Sequence, residues 1–303
     1  MQLPEGIFPP IPTPFDADGA IDVAALAENV AWWNGFDLAG LVVLGSNGES
    51  VLLDDGERLR MIEAARSGLA DGRPLIAGTG QPSTGATIRL TREAAAAGAD
   101  YALVLPPFYY KGQMTDDVLE THYRAVADAS PIPVVVYNMP ACTGIDLSAE
   151  LVVRLAQLGN VIGLKDSGGN VAKLGQIHAE LRGGFRILAG SAGFLLPALS
   201  VGAVGGVLAL ANIAPRQCVE ILRLAASGNV YEATELQVRM VRPNTAVTRR
   251  WGVPGLKAAM EMLGLRGGPV RPPLLPLAEG ERRELRSILI EGQILESDKE
   301  ATT

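Results

Sequence analysis

Cysteine and histidine are both scarce in this chain of 303 residues, which contains two of each. Cys142 and Cys218 are isolated thiols, so they predict neither a disulfide framework nor a zinc site. His122 and His178 lie far apart, in stretches that look like exposed helix surface. We therefore expect no metal, no cofactor and no Ser-His-Asp catalytic machinery.

An excess of positive charge is also missing. The chain has 26 Lys and Arg against 33 Asp and Glu, which gives a net charge of −7. A nucleic-acid-binding domain would show a basic face, so we exclude nucleic acid as a partner. An acidic small-molecule substrate is not excluded, because one site can be locally positive on an acidic protein.

The longest hydrophobic run, residues 186–211, is broken repeatedly by glycine and proline. Its hydropathy alone would permit a membrane span, but the breaks fall where turns would, which favours a buried strand–helix–strand unit. The N-terminus lacks the basic and apolar regions of a signal peptide and the arginines of a transit peptide. We expect a cytoplasmic protein with no membrane attachment.

What the sequence does contain is a series of eight short apolar runs, each followed by a turn rich in Gly, Ser, Asn or Pro. Runs that are apolar throughout are typical of parallel strands buried on both faces. They cover residues 6–13, 39–45, 73–80, 100–107, 132–138, 160–166, 185–191 and 203–210.

Helical patterns of ordinary length separate these runs, for example over residues 21–36, 54–69, 87–99 and 147–159. Eightfold alternation of strand and helix predicts an α/β fold, the (β/α)8 TIM barrel, whose active sites lie at the carboxyl ends of the strands. The alternative is an open, doubly wound sheet. That fold would usually show a glycine-rich dinucleotide fingerprint after the first strand, and residues 8–20 contain none.

Beyond the last run the chain continues as helices, and no change of composition suggests a linker. We expect a single domain over residues 1–303. Its barrel would occupy residues 1–215, and a C-terminal helical extension, residues 216–303, would pack against it. The last residues, 297–303, are expected to be frayed.

Lys165 is the most informative residue, because it alone among the lysines ends an apolar run of the predicted barrel. Partial burial there favours the neutral, nucleophilic amine. Such an amine can attack a ketone carbonyl to form an imine, which withdraws electrons while a C–C bond breaks or forms. A lysine that extends into solvent or pairs with Asp166 is the alternative interpretation.

Two further features lie at strand ends. Tyr137 ends the run before Lys165, and neighbouring parallel strands are about 4.8 Å apart, so the phenol can share a pocket with the amine and carry a proton. The turn GSNGES, residues 45–50, can hold the carboxylate of a 2-oxo acid through its N–H groups and the side chains of Ser46 and Asn47. A tyrosine on the barrel rim and an ordinary capped turn are the alternatives.

Together these segments resemble the dihydrodipicolinate synthase/N-acetylneuraminate lyase family of class I aldolases. The resemblance covers nearly the whole chain, and its motifs occur in the family's order and spacing. They are GSNGES (45–50), PPFYYKG (106–112), YNMPACTG (137–144), GLKDSGG (163–169) and LAGSAGF (188–194). The resemblance implies a TIM-barrel lyase that acts on pyruvate or a related 2-oxo acid and assembles as a homotetramer, a dimer of dimers.

The resemblance also implies roles for the residues already singled out. Lys165 would form the Schiff base, and Tyr137 would relay protons. Ser46 and Asn47 would bind the substrate carboxylate, at positions where many members have two threonines.

Further positions gain roles only through the resemblance. Tyr109 would match the tyrosine that reaches into a neighbouring subunit's site, and Gly190 and Val207 would match positions that line the pocket. Synthases that join pyruvate to aspartate semialdehyde typically carry an arginine in YNxPxRTG, where this chain has Cys142. A thiol cannot replace a bidentate guanidinium, which speaks against that reaction.

The segments KDSGG, LAGSAGFLLPALSVGAVGG and PNTAVTRRWGVPGLK instead resemble members that cleave 4-hydroxy-2-oxoglutarate. In those enzymes the residue matching Ser167 is implicated in substrate binding, whereas capping of the following helix is its alternative role. We therefore expect cleavage of 4-hydroxy-2-oxoglutarate to pyruvate and glyoxylate. The alternatives are dihydrodipicolinate synthesis, an aldolase or dehydratase for a 2-oxo-3-deoxy sugar acid, and a non-catalytic 2-oxo acid binding protein.

Overall fold

Eight parallel strands alternate with helices in the computed structural model, which describes residues 2–181 and 184–296. This confirms the predicted (β/α)8 barrel. The strands are β1 (Gly6–Phe8), β2 (Leu41–Val43), β3 (Leu75–Gly78), β4 (Tyr101–Val104), β5 (Val134–Asn138), β6 (Val161–Asp166), β7 (Arg186–Ala189) and β8 (Gly205–Val207). Each lies inside one of the eight apolar runs.

The sheet closes on itself between its first and last members. β1 pairs with β8 in the register Phe8↔Val207, and a single bridge joins Pro10 to Val42 of β2. The Ile11 N–H donates to the Val42 carbonyl at 2.9 Å. Pro9 and Pro10 have no N–H to donate, which explains why β1 is much shorter than its apolar run.

The helices lie outside the barrel, either between successive strands or after the last strand. Their bounds are α1 (Val23–Asn34), α2 (Asp55–Gly68), α3 (Thr84–Ala96), α4 (Asp116–Ala129), α5 (Pro140–Thr143), α6 (Ala149–Leu155), α7 (Val171–Glu180), α8 (Leu195–Ser200), α9 (Pro215–Ala226), α10 (Val230–Thr245), α11 (Gly252–Met262) and α12 (Glu279–Glu291). A π-helical turn, Ala246–Arg250, joins α10 to α11.

Apolar side chains form two separate cores, because successive residues of a strand point to opposite faces of the sheet. The larger core lies between the strands and the helices and includes Val134 and Val136. The smaller one fills the inside of the barrel and includes Val135, Tyr137 and Leu188. Alternation therefore decides which strand-end residues face the interior of the barrel.

The end of the chain packs against the barrel. α9 follows β8 and contacts β1, and α10–α12 continue from it. In residues 2–181 and 184–296, no helix is long and apolar enough to span a membrane. The predicted frayed segment, 297–303, lies outside the described residues.

One expectation about surface residues was wrong. His178 is exposed on α7, but His122 on α4 is only 4% exposed. Its Nδ1 lies 2.9 Å from the Thr84 hydroxyl of α3, so the ring fills the space between two helices.

Candidate active site

Lys165 and Tyr137 stand side by side at the carboxyl ends of β6 and β5. The two residues are direct partners in the sheet register, and both side chains are buried, at 3% and 4% exposure. The Lys165 Nζ lies 3.8 Å from the centre of the Tyr137 ring. The amine and the phenol therefore occupy one space inside the barrel, which is where the sequence predicted them.

Asp166 points away from this space, because it is the next residue of the strand. Its fully buried carboxylate accepts hydrogen bonds from Asn138 Nδ2 at 2.7 Å and from the N–H groups of Gly168 and Gly169 at 2.9 and 3.2 Å. Among the described residues, Lys165 has no carboxylate within ion-pair distance. The alternative interpretation, a pair between Lys165 and Asp166, is therefore not what the structure contains.

A second lysine balances the Asp166 charge on the outside of the barrel. Lys173 of α7 lies 3.5 Å from Asp166 and donates to Asp146 at 2.5 Å and to the Leu147 carbonyl at 3.2 Å. Burial opposes ionisation of Asp146, but hydrogen bonds from Lys173 and Asn138 outweigh it and lower the Asp146 pKa. We call these four side chains the outer network: Asn138, Asp146, Asp166 and Lys173.

The turn after β2 has an unusual backbone. Leu44 and Glu49, which bracket it, both have left-handed backbone angles, with φ of +57° and +54°. Such angles cost about 1–3 kcal/mol in a residue other than glycine and persist where the surroundings hold them. The Thr13 hydroxyl donates to the Gly48 carbonyl at 2.6 Å and fixes the turn from the β1 side.

A cavity of about 290 Å³ opens beside this turn. Ser46 and Tyr137 both line it, so the proposed carboxylate-binding turn and the phenol face one space. Asn47 is partly buried in the same turn but does not line the cavity. The other walls are formed by Leu44, Gly45, Ser50, Val51, Arg58, Gly78, Gly80, Gln81, Pro82, Leu103, Leu105, Pro106 and Phe108.

Ser167 and Gly190 lie against each other at the ends of β6 and β7. The Gly190 N–H donates to the Asp166 carbonyl at 2.6 Å, and a Cβ on Gly190 would lie 2.0 Å from the Ser167 hydroxyl. Only glycine fits there. Asn170, not Ser167, caps α7, so the alternative role of Ser167 as the helix cap is excluded.

The other predicted residues are spread around the barrel mouth. Val207 ends β8 and is buried inside the barrel, at 1% exposure. Tyr109 is 77% exposed and stacks edge-on against Tyr110, outside the cavity that Ser46 lines. Cys142 is exposed on the short helix α5 that follows Tyr137.

Three charged residues next to the turn were not singled out from the sequence. Glu49 and Lys257 form a buried ion pair with an Nζ to Oε1 distance of 2.6 Å, and the Arg271 N–H donates to Glu49 at 2.9 Å. A lysine within the apolar segment VPGLKAAM was the available signal, because a buried ammonium needs a partner. The partner itself lies too far away in the sequence to be inferred.

Metal-binding side chains do not cluster in the described part of the chain. No group of three or more His, Cys, Asp or Glu side chains is placed to hold a metal ion there.

Known proteins match this chain over almost its full length. A probable 4-hydroxy-2-oxoglutarate aldolase, mitochondrial, from Emericella nidulans is 40% identical, over 99% of this chain and 98% of that protein. A 4-hydroxy-tetrahydrodipicolinate synthase from Methanothrix thermoacetophila is 36% identical, over 97% and 98%. The crystal structure of dihydrodipicolinate synthase DapA-2 from Bacillus anthracis superimposes with a TM-score of 0.92 at 31% identity, covering 98% of this chain and 100% of that one.

The family model of the dihydrodipicolinate synthetase family matches residues 3–291. That range contains both strand ends, the turn and the cavity described above. Since the match spans nearly the whole chain and the relatives agree with it, this protein belongs to the dihydrodipicolinate synthetase family of lyases and aldolases.

Proposed function

We propose that this protein is a Schiff-base lyase that cleaves 4-hydroxy-2-oxoglutarate to pyruvate and glyoxylate. The observation that carries the proposal is the position of the Lys165 Nζ, 3.8 Å from the Tyr137 ring and without a carboxylate partner among the described residues. An unpaired, buried amine is suited to attack a ketone.

The proposed reaction begins when Ser46 and Asn47 bind the C1 carboxylate. Lys165 adds to the C2 ketone and water leaves, which gives an iminium. The C3–C4 bond then breaks toward the iminium while the Tyr137 oxygen relays the C4 hydroxyl proton, and glyoxylate departs. Protonation of the enamine at C3, followed by addition of water, releases pyruvate and regenerates the amine.

Borohydride trapping tests the chemistry directly. Incubation with pyruvate and borohydride should attach a reduced pyruvyl group to the Lys165 peptide, detected by peptide mass spectrometry. Lys165→Ala should lose both the adduct and turnover while keeping its circular dichroism spectrum. Binding of pyruvate without any adduct in the unsubstituted protein would instead favour a non-catalytic 2-oxo acid binding protein.

Two observations favour 4-hydroxy-2-oxoglutarate over the synthase substrate. Cys142 stands where the synthase motif has its arginine, and a relative 40% identical to this chain is named as a probable aldolase for this compound. A panel of 2-oxo acids and aldehydes, with pyruvate release or consumption as the readout, separates the alternatives. Rapid condensation of pyruvate with aspartate semialdehyde, without cleavage of 4-hydroxy-2-oxoglutarate, would overturn the choice, and preference for a 2-oxo-3-deoxy sugar acid would do the same.

We also propose that the protein is a homotetramer in which Tyr109 reaches a neighbouring subunit's site. The exposure of Tyr109 and Tyr110, at 77% and 66%, supports this, because large aromatic side chains are enriched at protein interfaces. Sedimentation velocity measures the mass of the assembly. A cytoplasmic location remains a prediction.

A further inference from the structure

Glu49 closes the carboxylate-binding turn, two residues after Asn47, and the reaction above gives it no role. Its side chain is 1% exposed. A buried negative charge this close to an anion site would repel the carboxylate of a 2-oxo acid unless a positive charge balanced it. The residues around Glu49 therefore decide whether the turn can bind an anion.

Lys257 of α11 supplies that balance. Its Nζ lies 2.6 Å from the Glu49 carboxylate, donates to the Pro269 carbonyl at 2.7 Å and lies 4.4 Å from the centre of the Phe15 ring. The lysine side chain is itself 2% exposed. Burial lowers the Lys257 pKa, and the negative charge of Glu49 acts in the opposite direction to keep the ammonium charged.

The chain after α11 holds the pair from the other side. The Arg271 N–H donates to Glu49 at 2.9 Å, and the Arg271 guanidinium pairs with Glu57 of α2 and lies 4.2 Å from the Phe15 ring. Gly268, with φ of +69°, lets the chain pass so near Phe15 that a Cβ would lie 2.6 Å from the Phe15 carbonyl. The C-terminal extension thus contacts Glu49, the residue that ends the turn.

We propose that Glu49 and Lys257 are a positioning pair for the substrate carboxylate. Glu49 anchors the left-handed end of the turn, and Lys257 cancels the Glu49 charge so that Ser46 and Asn47 can receive an anion. The proposal rests on the proposed function, in which Ser46 and Asn47 bind the carboxylate of pyruvate.

The test measures how borohydride trapping on Lys165 depends on pyruvate concentration. Lys257→Met should raise the half-saturating pyruvate concentration about tenfold or more, while the trapping rate at saturation changes less than about threefold. Glu49→Gln keeps the acceptor for the Arg271 N–H and removes the charge. In the double variant with Lys257→Met and Glu49→Gln, the half-saturating pyruvate concentration should therefore return to within about threefold of that of the unsubstituted protein.

A surface pair of the same C-terminal extension provides the matched control. Arg250 and Glu284 are about half exposed, and Arg250→Met should leave the half-saturating concentration unchanged. If Lys257→Met does not fold, Lys257→Gln, which keeps a donor without the charge, replaces it with the same expected result. Circular dichroism and thermal melts report folding for every variant.

Two outcomes would overturn the inference while leaving the proposed function intact. One is unchanged half-saturation in Lys257→Met. The other is a double variant whose half-saturating pyruvate concentration stays as high as that of Lys257→Met, because the Glu49 charge would then not be what repels the carboxylate. Failure of the unsubstituted protein to form any adduct would instead reject the proposed function itself.

Discussion

Lys165 and Asp166 are neighbours in the sequence, yet they serve opposite sides of the β6 strand. The strand pleat turns the amine inward toward Tyr137 and the carboxylate outward toward Asn138 and Lys173. If the Asp166 carboxylate pointed into the barrel, it would pair with the Lys165 amine and favour the charged ammonium. The reactivity we propose for Lys165 therefore depends on the alternation of successive side chains between the two faces of a β-strand.

Tyr137→Phe tests whether the phenol carries a proton. The phenyl ring keeps its packing against the Lys165 Nζ, but the hydroxyl is lost, so turnover should fall about 100-fold or more. Borohydride trapping of pyruvate, brought to equilibrium, should persist. Tyr231→Phe, at a tyrosine of α10 that is 78% exposed, is the control for steady-state kinetics. Unchanged turnover would mean that the Tyr137 ring acts by position alone, and equal loss of trapping and turnover would mean that the hydroxyl is needed already to form the imine.

Gly190→Ala tests the close approach of β7 to β6. The new Cβ would lie 2.0 Å from the Ser167 hydroxyl and 2.6 Å from the Asp166 carbonyl, so the two strand ends must separate. We expect a loss of about 1–3 kcal/mol in the free energy of unfolding and at least a tenfold loss of kcat/KM.

Gly85→Ala is the matched control, because a Cβ on Gly85 would meet no atom within 4 Å. Chemical denaturation and steady-state kinetics measure both variants. An active, fully stable Gly190→Ala protein would show that the strand ends can move apart without affecting the site.

At the scale of elements, the outer network links four parts of the fold. Asn138 ends β5, Asp166 ends β6, Lys173 lies on α7 and Asp146 lies in the loop after α5. Asn138 donates to both carboxylates at 2.7 Å and accepts the Leu147 N–H at 3.0 Å. Because Tyr137 and Lys165 precede Asn138 and Asp166, this network fixes their backbones relative to each other.

Lys173→Met should destabilise the protein strongly. It leaves the fully buried Asp166 carboxylate without its balancing charge, which typically costs about 3–5 kcal/mol in the free energy of unfolding. Arg124→Met, which removes an exposed pair with Glu120, should change stability by less than about 1 kcal/mol. Denaturation by urea measures both, and similar values for the two variants would contradict the role given to the network.

The sequence was sufficient to locate the eight strands and the Lys165–Tyr137 pair, because uniformly apolar runs and their polar ends are local signals. The strand lengths were less accessible. The prolines at 9 and 10 shorten β1, and the run 203–210 contains β8 at Gly205–Val207 followed by a turn of 3₁₀-helix. The Glu49–Lys257 pair joins residues that are distant in sequence, so it could be identified only in the folded structure.

At the scale of the whole molecule, pH reports on how tightly the outer helices pack. His122 lies between α3 and α4, and burial lowers its pKa to about 4. An unfolded chain gives histidine a pKa near 6.5, so between these two values the unfolded state binds a proton that the folded state does not. Stability should therefore fall as the pH falls through this window, and this group adds no slope above about pH 6.5.

His122→Gln measures this contribution against the other acid-sensitive groups. The shift corresponds to a loss on the order of 3 kcal/mol between pH 6.5 and 4, which the variant should lack. His178→Gln, at the exposed histidine, should retain it, and the two chains differ by no other titratable group. Unfolding free energies of both variants, measured by denaturation at each pH, give the difference directly. If the unfolding free energies of the two variants fall in parallel with pH, His122 is solvated in solution and α3 and α4 open readily. If the difference between them widens below pH 6.5, the packed helices keep His122 buried and uncharged in the folded protein.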